Sequence, residues 1–387
     1  MSKRCVFVQY TARPSGSPLS GLMVVRALRG AGYEVHAVFH ELGELVALYE
    51  SNGCVVTQLS HGQWLGGGPW HRRLRRLVRD LAAASRFAHC FRKLGPQLVY
   101  VNNLTGLAPV MAAKRLGIPC VWHLRELLDD VGGEMHAPWP GGKRLIRRLV
   151  RCLPSHIVVI SRAVAENVVG STDWPRLTIL PNAVGDEFFD CPLSRSEARA
   201  RLGLPRDVPL VGVPGTLRPV KGHRFFLEAF ARLAQAIPAA VAAITGDGES
   251  RYRSELIQLV HQLGLANRVL FLGTVADMPA FYRACDVICV PSRSESFGRA
   301  VIEAFAVGTP VLATSVGGMR ETIEHEKTGL LVQYGNAEEL STVLFRPLAD
   351  RPLALRLAHA AQHEASNSYR ESVYQERICR VVDNHIR

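Results

Sequence analysis

Short apolar runs rich in β-branched residues alternate with stretches of helical period along nearly the whole chain, and that rhythm leaves few folds open. In the first half the runs lie at Cys5–Gln9, Glu34–Phe39, Cys54–Leu59, Gln97–Val101, Pro119–His123, His156–Ile160 and Leu177–Leu180. In the second half they lie at Leu210–Val213, Ala240–Thr245, Val269–Leu272, Val287–Val290, Val311–Thr314 and Leu330–Val332. Most are almost uninterruptedly hydrophobic, as strands buried on both faces of a parallel sheet must be. Between them, Leu19–Gly30, Ala108–Leu116, Phe225–Ala236 and Arg251–Leu263 carry apolar residues at helical spacing. Alternation of this kind predicts doubly wound α/β sheets, and two such series predict two Rossmann-like parallel-sheet domains facing a cleft. At 387 residues the chain is too long for one ordinary domain and comfortable for two. The seam is expected within Asn182–Pro209, where the sequence turns irregular and charged around a short basic helix.

No apolar run approaches the ~18 residues that a membrane-spanning helix needs. The first residues pass from Lys3 and Arg4 straight into a strand-like run without the features of a signal peptide, so a cytoplasmic protein is expected. None of the nine cysteines forms a C-x-x-C pair, and Cys289 sits in the apolar run Val-Ile-Cys-Val. Core thiols, rather than a metal site or disulfides, are the expectation. The net charge of +12 is uneven. Residues 1–190 hold 23 Lys/Arg against 14 Asp/Glu, and the remainder 23 against 20, giving +9 and +3. The excess gathers in His71–Asp80 and Lys143–Arg151; in the second stretch Leu145, Ile146, Leu149 and Val150 form one helical face and arginines the other. Such a segment is either a solvated helix face or a contact for the inner, anionic surface of a membrane. No aromatic interleaving or fold signature points to nucleic acid.

Open α/β sheets bind ligands beyond the carboxyl ends of their strands, so the useful residues should sit just after strands. The most informative stretch is Pro291-Ser-Arg-Ser-Glu-Ser-Phe-Gly-Arg-Ala-Val-Ile-Glu-Ala-Phe-Ala-Val-Gly-Thr-Pro310. A buried strand ends at Val290, a polar loop follows, and a helix is expected from about Gly298. Loop amides and a helix N-terminus attract phosphate. Glu295 in the loop and Glu303 in the helix place a carboxylate near each end of that anion site. The arrangement suits a nucleotide sugar, with hydroxyls on both sides of a diphosphate. After the first strand of the second half, Gly215-Thr-Leu-Arg-Pro-Val-Lys-Gly-His223 offers Arg218 and Lys221 as phosphate cations.

Glu295 and Glu303 match the E-x7-E pattern of the retaining GT-B glycosyltransferases, and the sequence resembles glycosyltransferase family four, the glycosyl transferases group 1. Thr314-Ser-Val-Gly-Gly-Met-Arg-Glu321 and Lys327-Thr-Gly-Leu-Leu-Val332 are similar to the next two signatures of that family. The resemblance implies that Glu295, with the amides of Ser296, Phe297 and Gly298 nearby, meets donor-sugar hydroxyls, and that Glu303 meets the ribose. It implies that Lys221 stabilises the leaving diphosphate. The usual arginine of that motif is replaced by Thr216, with Arg218 two residues on as its substitute. Gly246-Asp247-Gly248 corresponds to the G-x-G turn beside the nucleotide.

On the acceptor side the resemblance is thinner. The family's Gly-rich loop falls at Thr11–Gly21, where Gly16 stands in a plausible position, either as a phosphate contact or as an ordinary turn. His123 ends a buried strand and is followed by Arg125 and Glu126; the resemblance makes it a histidine that touches the sugar or acceptor. Val158–Ser161 and Leu180-Pro-Asn-Ala-Val184 resemble further family stretches, with Ala183 in place of the usual glycine, and Asn102 and Asn103 also follow a strand end. The resemblance implies an acceptor domain over 1–185 and a donor domain over 208–368, with a last helix, 369–387, crossing back onto the first. It further implies transfer with retention to a glycan or lipid-linked acceptor. No D-x-D sequence occurs, so no metal or other cofactor is expected beside the donor substrate. The rivals are a GT-B epimerase or phosphorylase, and a nucleotide-sugar or membrane-binding protein without catalysis.

Overall fold

The computed structural model describes residues 3–13, 16–61, 63–129 and 135–385, and the chain divides into two compact units. Unit 1 comprises residues 1–182 and 371–387, and unit 2 residues 183–370.

Unit 1 runs β1 (Lys3–Thr11), α1 (Gly16–Gly30), β2 (Tyr33–Glu41), α2 (Val46–Ser51), β3 (Val55–Gln58), α3 (Trp70–Leu94), β4 (Leu98–Val101), α4 (Leu107–Leu116), β5 (Cys120–Leu124), α5 (Lys143–Cys152), β6 (His156–Val159), α6 (Arg162–Val164) and β7 (Leu177–Ile179). A single π turn, Ala165–Val169, extends α6. The sheet has seven strands in the order β3-β2-β1-β4-β5-β6-β7. All its neighbours are parallel. The central strands β4 and β5 are buried along their whole length, as their unbroken apolar runs demand. The order reverses between β1 and β4, which makes the carboxyl ends of those strands the switch point.

Unit 2 runs α7 (Asp186–Phe189), α8 (Arg195–Arg201), β8 (Leu210–Val213), α9 (His223–Ala236), β9 (Val241–Thr245), α10 (Ser250–Gln262), β10 (Val269–Gly273), α11 (Met278–Ala284), β11 (Val287–Val290), α12 (Arg299–Val307), β12 (Val311–Thr314), α13 (Met319–Thr322), β13 (Leu330–Val332), α14 (Ala337–Ala349) and α15 (Arg351–Ser368). Its sheet has six strands, again parallel, in the order β10-β9-β8-β11-β12-β13, with the switch point between β8 and β11. The core lies between sheet and helices and holds Phe226, Phe230, Leu256, Leu340, Leu344 and Leu357.

The irregular, charged stretch after Asn182 belongs to unit 2. Ser194 caps α8 with a capping box closed by Glu197. The helix turns Arg199 inward, where its Nε donates to the Ala284 carbonyl at 2.9 Å and its Nη2 meets Asp286 Oδ2 at 2.8 Å. The last helix, α16 (Glu371–His385), belongs to unit 1 and packs on α1, with Glu371 holding Arg26 at 3.0 Å. Cys285 and Cys289 are buried core thiols without disulfides. No described helix is long and apolar enough to cross a membrane.

Candidate functional site

The loops at the carboxyl ends of β8, β9, β11 and β12 lie against one another. Gly215–Lys221 follows β8, and within it Pro219–Lys221 forms one 3-10 turn. The Leu217 amide donates to the Asp247 carbonyl at 3.0 Å, tying this loop to the Gly246-Asp247-Gly248 turn after β9. The Arg293 amide donates to the Val220 carbonyl at 2.8 Å, joining it to the β11 loop as well. The Gly318 amide then donates to the Glu295 carbonyl at 3.1 Å, bringing in the loop after β12. Two glycines make this closeness possible. Gly222 has φ +73° and Gly317 φ +47°, and a Cβ would overlap the carbonyl oxygen of Pro291 at the first and of Glu295 at the second.

Within this cluster the structure joins Lys221 and Glu295, 74 residues apart, by a 2.6 Å ion pair between Nζ and Oε2. Both side chains are largely but not wholly buried. Glu303 lies on the second turn of α12 and is held from two sides. The Tyr282 hydroxyl donates to its Oε2 at 2.7 Å and Arg299 Nε donates to its Oε1 at 2.6 Å. Burial, and next the Glu303 charge, hold the Tyr282 hydroxyl well above its ordinary pKa, so it remains a donor. Gly298, at φ +91°, is the N-cap of α12, and its carbonyl accepts from the Val301 amide at 2.9 Å. The Phe297 ring points into the core, edge-on to Tyr369 at 6.1 Å, leaving only its backbone to the loop surface; Ser296 is half-buried beside it. Asp247 accepts from the Thr274 hydroxyl at 2.8 Å.

Arg218 is half-buried at the start of the 3-10 turn; burial lowers its pKa while Glu249 favours its charged form. Its electrostatic neighbour is therefore Glu249, whereas Lys221 takes Glu295. Thr216 is exposed.

Gly16 opens α1, and a Cβ there would meet nothing within 4 Å; Pro14 and Ser15 lie outside the described residues. The closely approached glycine is Gly21, where a Cβ would crowd the Tyr49 hydroxyl at 2.7 Å and Asn102 Nδ2 at 2.9 Å.

His123 is fully buried inside a polar network at the β1, β4 and β5 ends. Its Nδ1 lies 2.8 Å from the Tyr100 hydroxyl and 3.3 Å from Arg125 Nη2. A guanidinium only donates, so Nδ1 accepts and the ring proton sits on Nε2. Nε2 is buried and has no partner among the described residues. Burial, and then Arg125, keep the His123 pKa well below its ordinary value, so the ring is neutral at pH 7.

Arg125 is the hub that sequence reasoning undervalued. Only 5% exposed, it donates to Asn102 Oδ1 at 2.9 Å, Asn182 Oδ1 at 2.5 Å and the Tyr374 hydroxyl at 3.2 Å. Asn102 continues the network to Gln9 at 2.5 Å. The usable signal was a charged residue two positions beyond a buried strand histidine. Arg299 was legible as the i,i+4 partner of Glu303 on the expected helix, whereas nothing local marked Tyr282, 21 residues away.

These folds and loops are those of a known class. Residues 194–364 match the glycosyl transferases group 1 model and residues 21–183 the glycosyl transferase 4-like domain. A lipopolysaccharide core biosynthesis mannosyltransferase, LpsB of Rhizobium meliloti, is 31% identical over 271 residues, covering 63% of this chain and 73% of that protein. The chain belongs to the group 1 glycosyl transferases. A D-inositol 3-phosphate glycosyltransferase of Xylanimonas cellulosilytica is 33% identical over 272 residues, which cover 67% of this chain and 65% of that relative's length. Among solved structures, Anabaena HepE in complex with UDP-glucose superposes with a TM-score of 0.81 at 24% identity, covering 98% of this chain and 99% of that one, and shares the GT-B fold.

Proposed function

We propose that this chain transfers a hexose-type sugar from a nucleotide-diphosphate sugar to a hydroxyl of a glycan or lipid-linked acceptor, with retention of anomeric configuration and without a metal. The observation that carries the reading is the meeting of Lys221, Glu295, the α12 N-terminus and a doubly held Glu303 at the switch point of one sheet. The donor phosphates take the place of Glu295 as counter-ion to Lys221, with Arg218 adjoining, and lie against the α12 amides. Glu295 is then free to accept from sugar hydroxyls, and Glu303 from the ribose. Lys221 stabilises the charge that grows on the departing phosphate. The bond between the anomeric carbon and the phosphate oxygen breaks, the acceptor oxygen bonds to that carbon on the same face, and the acceptor proton passes to the departing phosphate. The unpartnered Nε2–H of His123 serves a hydroxyl of the sugar or acceptor. The names carried by LpsB and the inositol phosphate relative support the reaction class.

The test is a thermal-shift series with UDP, GDP, ADP and their sugars in the presence of a chelator. One nucleotide should raise the melting temperature; stabilisation by none of them, or only after a divalent cation is restored, would end this reading.

A second feature favours work at a membrane surface. On α3, Trp70, Leu74, Val78 and Leu81 are 56%, 40%, 59% and 42% exposed and follow one another at helical spacing, amid eight Lys/Arg and a single acid, Asp80. We infer that this stripe lies on an anionic bilayer. Flotation with phosphatidylglycerol vesicles should recover the protein and flotation with neutral vesicles should not. Equal recovery in both would refute it.

A further inference from the structure

Unit 1 contains a hollow of about 500 Å³ at the carboxyl ends of β1, β2 and β3 that none of the roles above employs. One side of it is aromatic. Tyr10, on β1, stacks on His40, at the end of β2, with ring centroids 4.7 Å apart and planes 20° apart. His61 meets both rings near edge-on, at 5.7 Å and 5.2 Å. The His61 ring lies 3.5 Å from Asp80 Oδ1, with both side chains buried. The His61 amide donates to His40 Nδ1 at 2.9 Å, which leaves the neutral His40 ring its proton on Nε2.

The facing wall is α3, which contributes Arg76, Arg79 and Arg86. At ~100° per residue these three positions fall within an arc of roughly 80°, whereas the apolar stripe from Trp70 to Leu81 lies on another side of the helix. Among the described residues neither Arg79 nor Arg86 pairs with a carboxylate, and Asp80, the only acid on α3, is turned inward. Arg76 and Arg79, three apart on the helix, repel each other unless an anion offsets them. Arginine forks chelate oxyanions, and an aromatic wall with a few convergent polar groups is what a small-molecule site requires.

We propose that this hollow binds the charged end of the acceptor: a sugar ring bearing a phosphate or carboxylate, its ring against Tyr10 and His40 and its anion on Arg79 and Arg86. The proposal rests on the glycosyltransferase reading and deepens it, since it names the acceptor as acidic.

The experiment is saturation-transfer NMR on the full chain with glucose 6-phosphate, glucuronate and glucose, with UDP binding measured on the same preparations. The two acidic sugars should give signals that inorganic phosphate displaces, and neutral glucose should give none. Replacing both exposed arginines (Arg79→Ala with Arg86→Ala) should weaken glucose 6-phosphate about tenfold or more, while UDP binding holds. Tyr10→Ala should weaken glucose 6-phosphate and spare inorganic phosphate. Equal signals from glucose, or undiminished binding by the double variant, would overturn the assignment. So would phosphatidylglycerol vesicles that strip glucose 6-phosphate from the wild type, because they would give the arginines to a lipid headgroup. Failure of the wild type to bind any of UDP, GDP and ADP, with the anion signals intact, would strike the donor reading and leave this one standing.

Discussion

Replacing Glu303 by glutamine isolates the contribution of one carboxylate to nucleotide binding. Each of its oxygens already accepts one hydrogen bond, from Tyr282 at 2.7 Å and from Arg299 at 2.6 Å, and each keeps a further lone-pair site for a ribose hydroxyl. Arg299 can only donate, so in Glu303→Gln the remaining oxygen must stay on its side. The new NH₂ group then faces Tyr282, whose hydroxyl can rotate to accept. The local fold should therefore survive, with a stability change below about 1 kcal/mol and a melting shift within roughly 2–4 °C. Binding should not survive as well. Hydrogen bonds to a charged group contribute about 1.5–3 kcal/mol and those between neutral groups about 0.5–1.5. Losing that difference at one ribose hydroxyl and most of an acceptor at the other amounts to about 2 kcal/mol, or roughly a 30-fold weaker Kd. Isothermal titration with the nucleotide that stabilises the wild type, run beside a thermal melt, reads both quantities. A Kd within about threefold of wild type in a well-folded variant would show that Glu303 does not hold the ribose.

Gly222→Ala should lower the stability of unit 2 by about 2 kcal/mol or more, through its positive φ and the overlap with Pro291, and should weaken nucleotide binding by moving Lys221; an unshifted melt would contradict the geometry. Arg125→Leu strands the acceptors of Asn102, Asn182 and Tyr374, so unit 1 should lose about 3 kcal/mol, or roughly 6–12 °C, by calorimetry, and a change under about 2 °C would refute the network. Acid should destabilise both units. His123 and His223 stay neutral in the fold, His123 by burial and then Arg125, His223 by burial to a pKa of about 4. Unfolded histidine takes its proton near pH 6.5, so stability is full above that value and falls as the pH drops, by about 2 kcal/mol at pH 5 for His223 and in the same direction for His123. Melts between pH 8 and 5 test this, and His223→Gln should flatten the slope of unit 2; a wild type equally stable at pH 7 and 5 would contradict it.

The strands were legible because a strand buried on both faces has nowhere to place a polar residue. Leu210–Val213, Val287–Val290, Val311–Thr314 and Leu330–Val332 carry the expected limits unchanged. Partnerships between distant residues were not legible. α8 reads in sequence as a short basic helix, and so it is; what could not be read is that Arg199 is buried, because its partner Asp286 is 87 residues away. At the candidate site, residue types just beyond strand ends pointed to Glu295, Lys221 and Glu303, but their partners could not be read. The Lys221–Glu295 pair spans 74 residues, and the neighbour that separates Arg218 from it, Glu249, lies on another loop.

The return of the chain to unit 1 sets an order of assembly. Unit 2 is continuous from 183 to 370, and every one of its strands and helices exists before Glu371 is made. Unit 1 is not complete at Asn182. Arg26 then lacks Glu371, and Arg125 lacks the Tyr374 hydroxyl, while the face of α1 that α16 will cover stands open. Unit 2 therefore draws on one continuous stretch of chain, whereas unit 1 needs residues from both sides of it, although most of unit 1 is synthesised first. Truncation before residue 371 removes part of the N-terminal sheet domain, at a distance of more than 180 residues along the chain from where that domain otherwise ends.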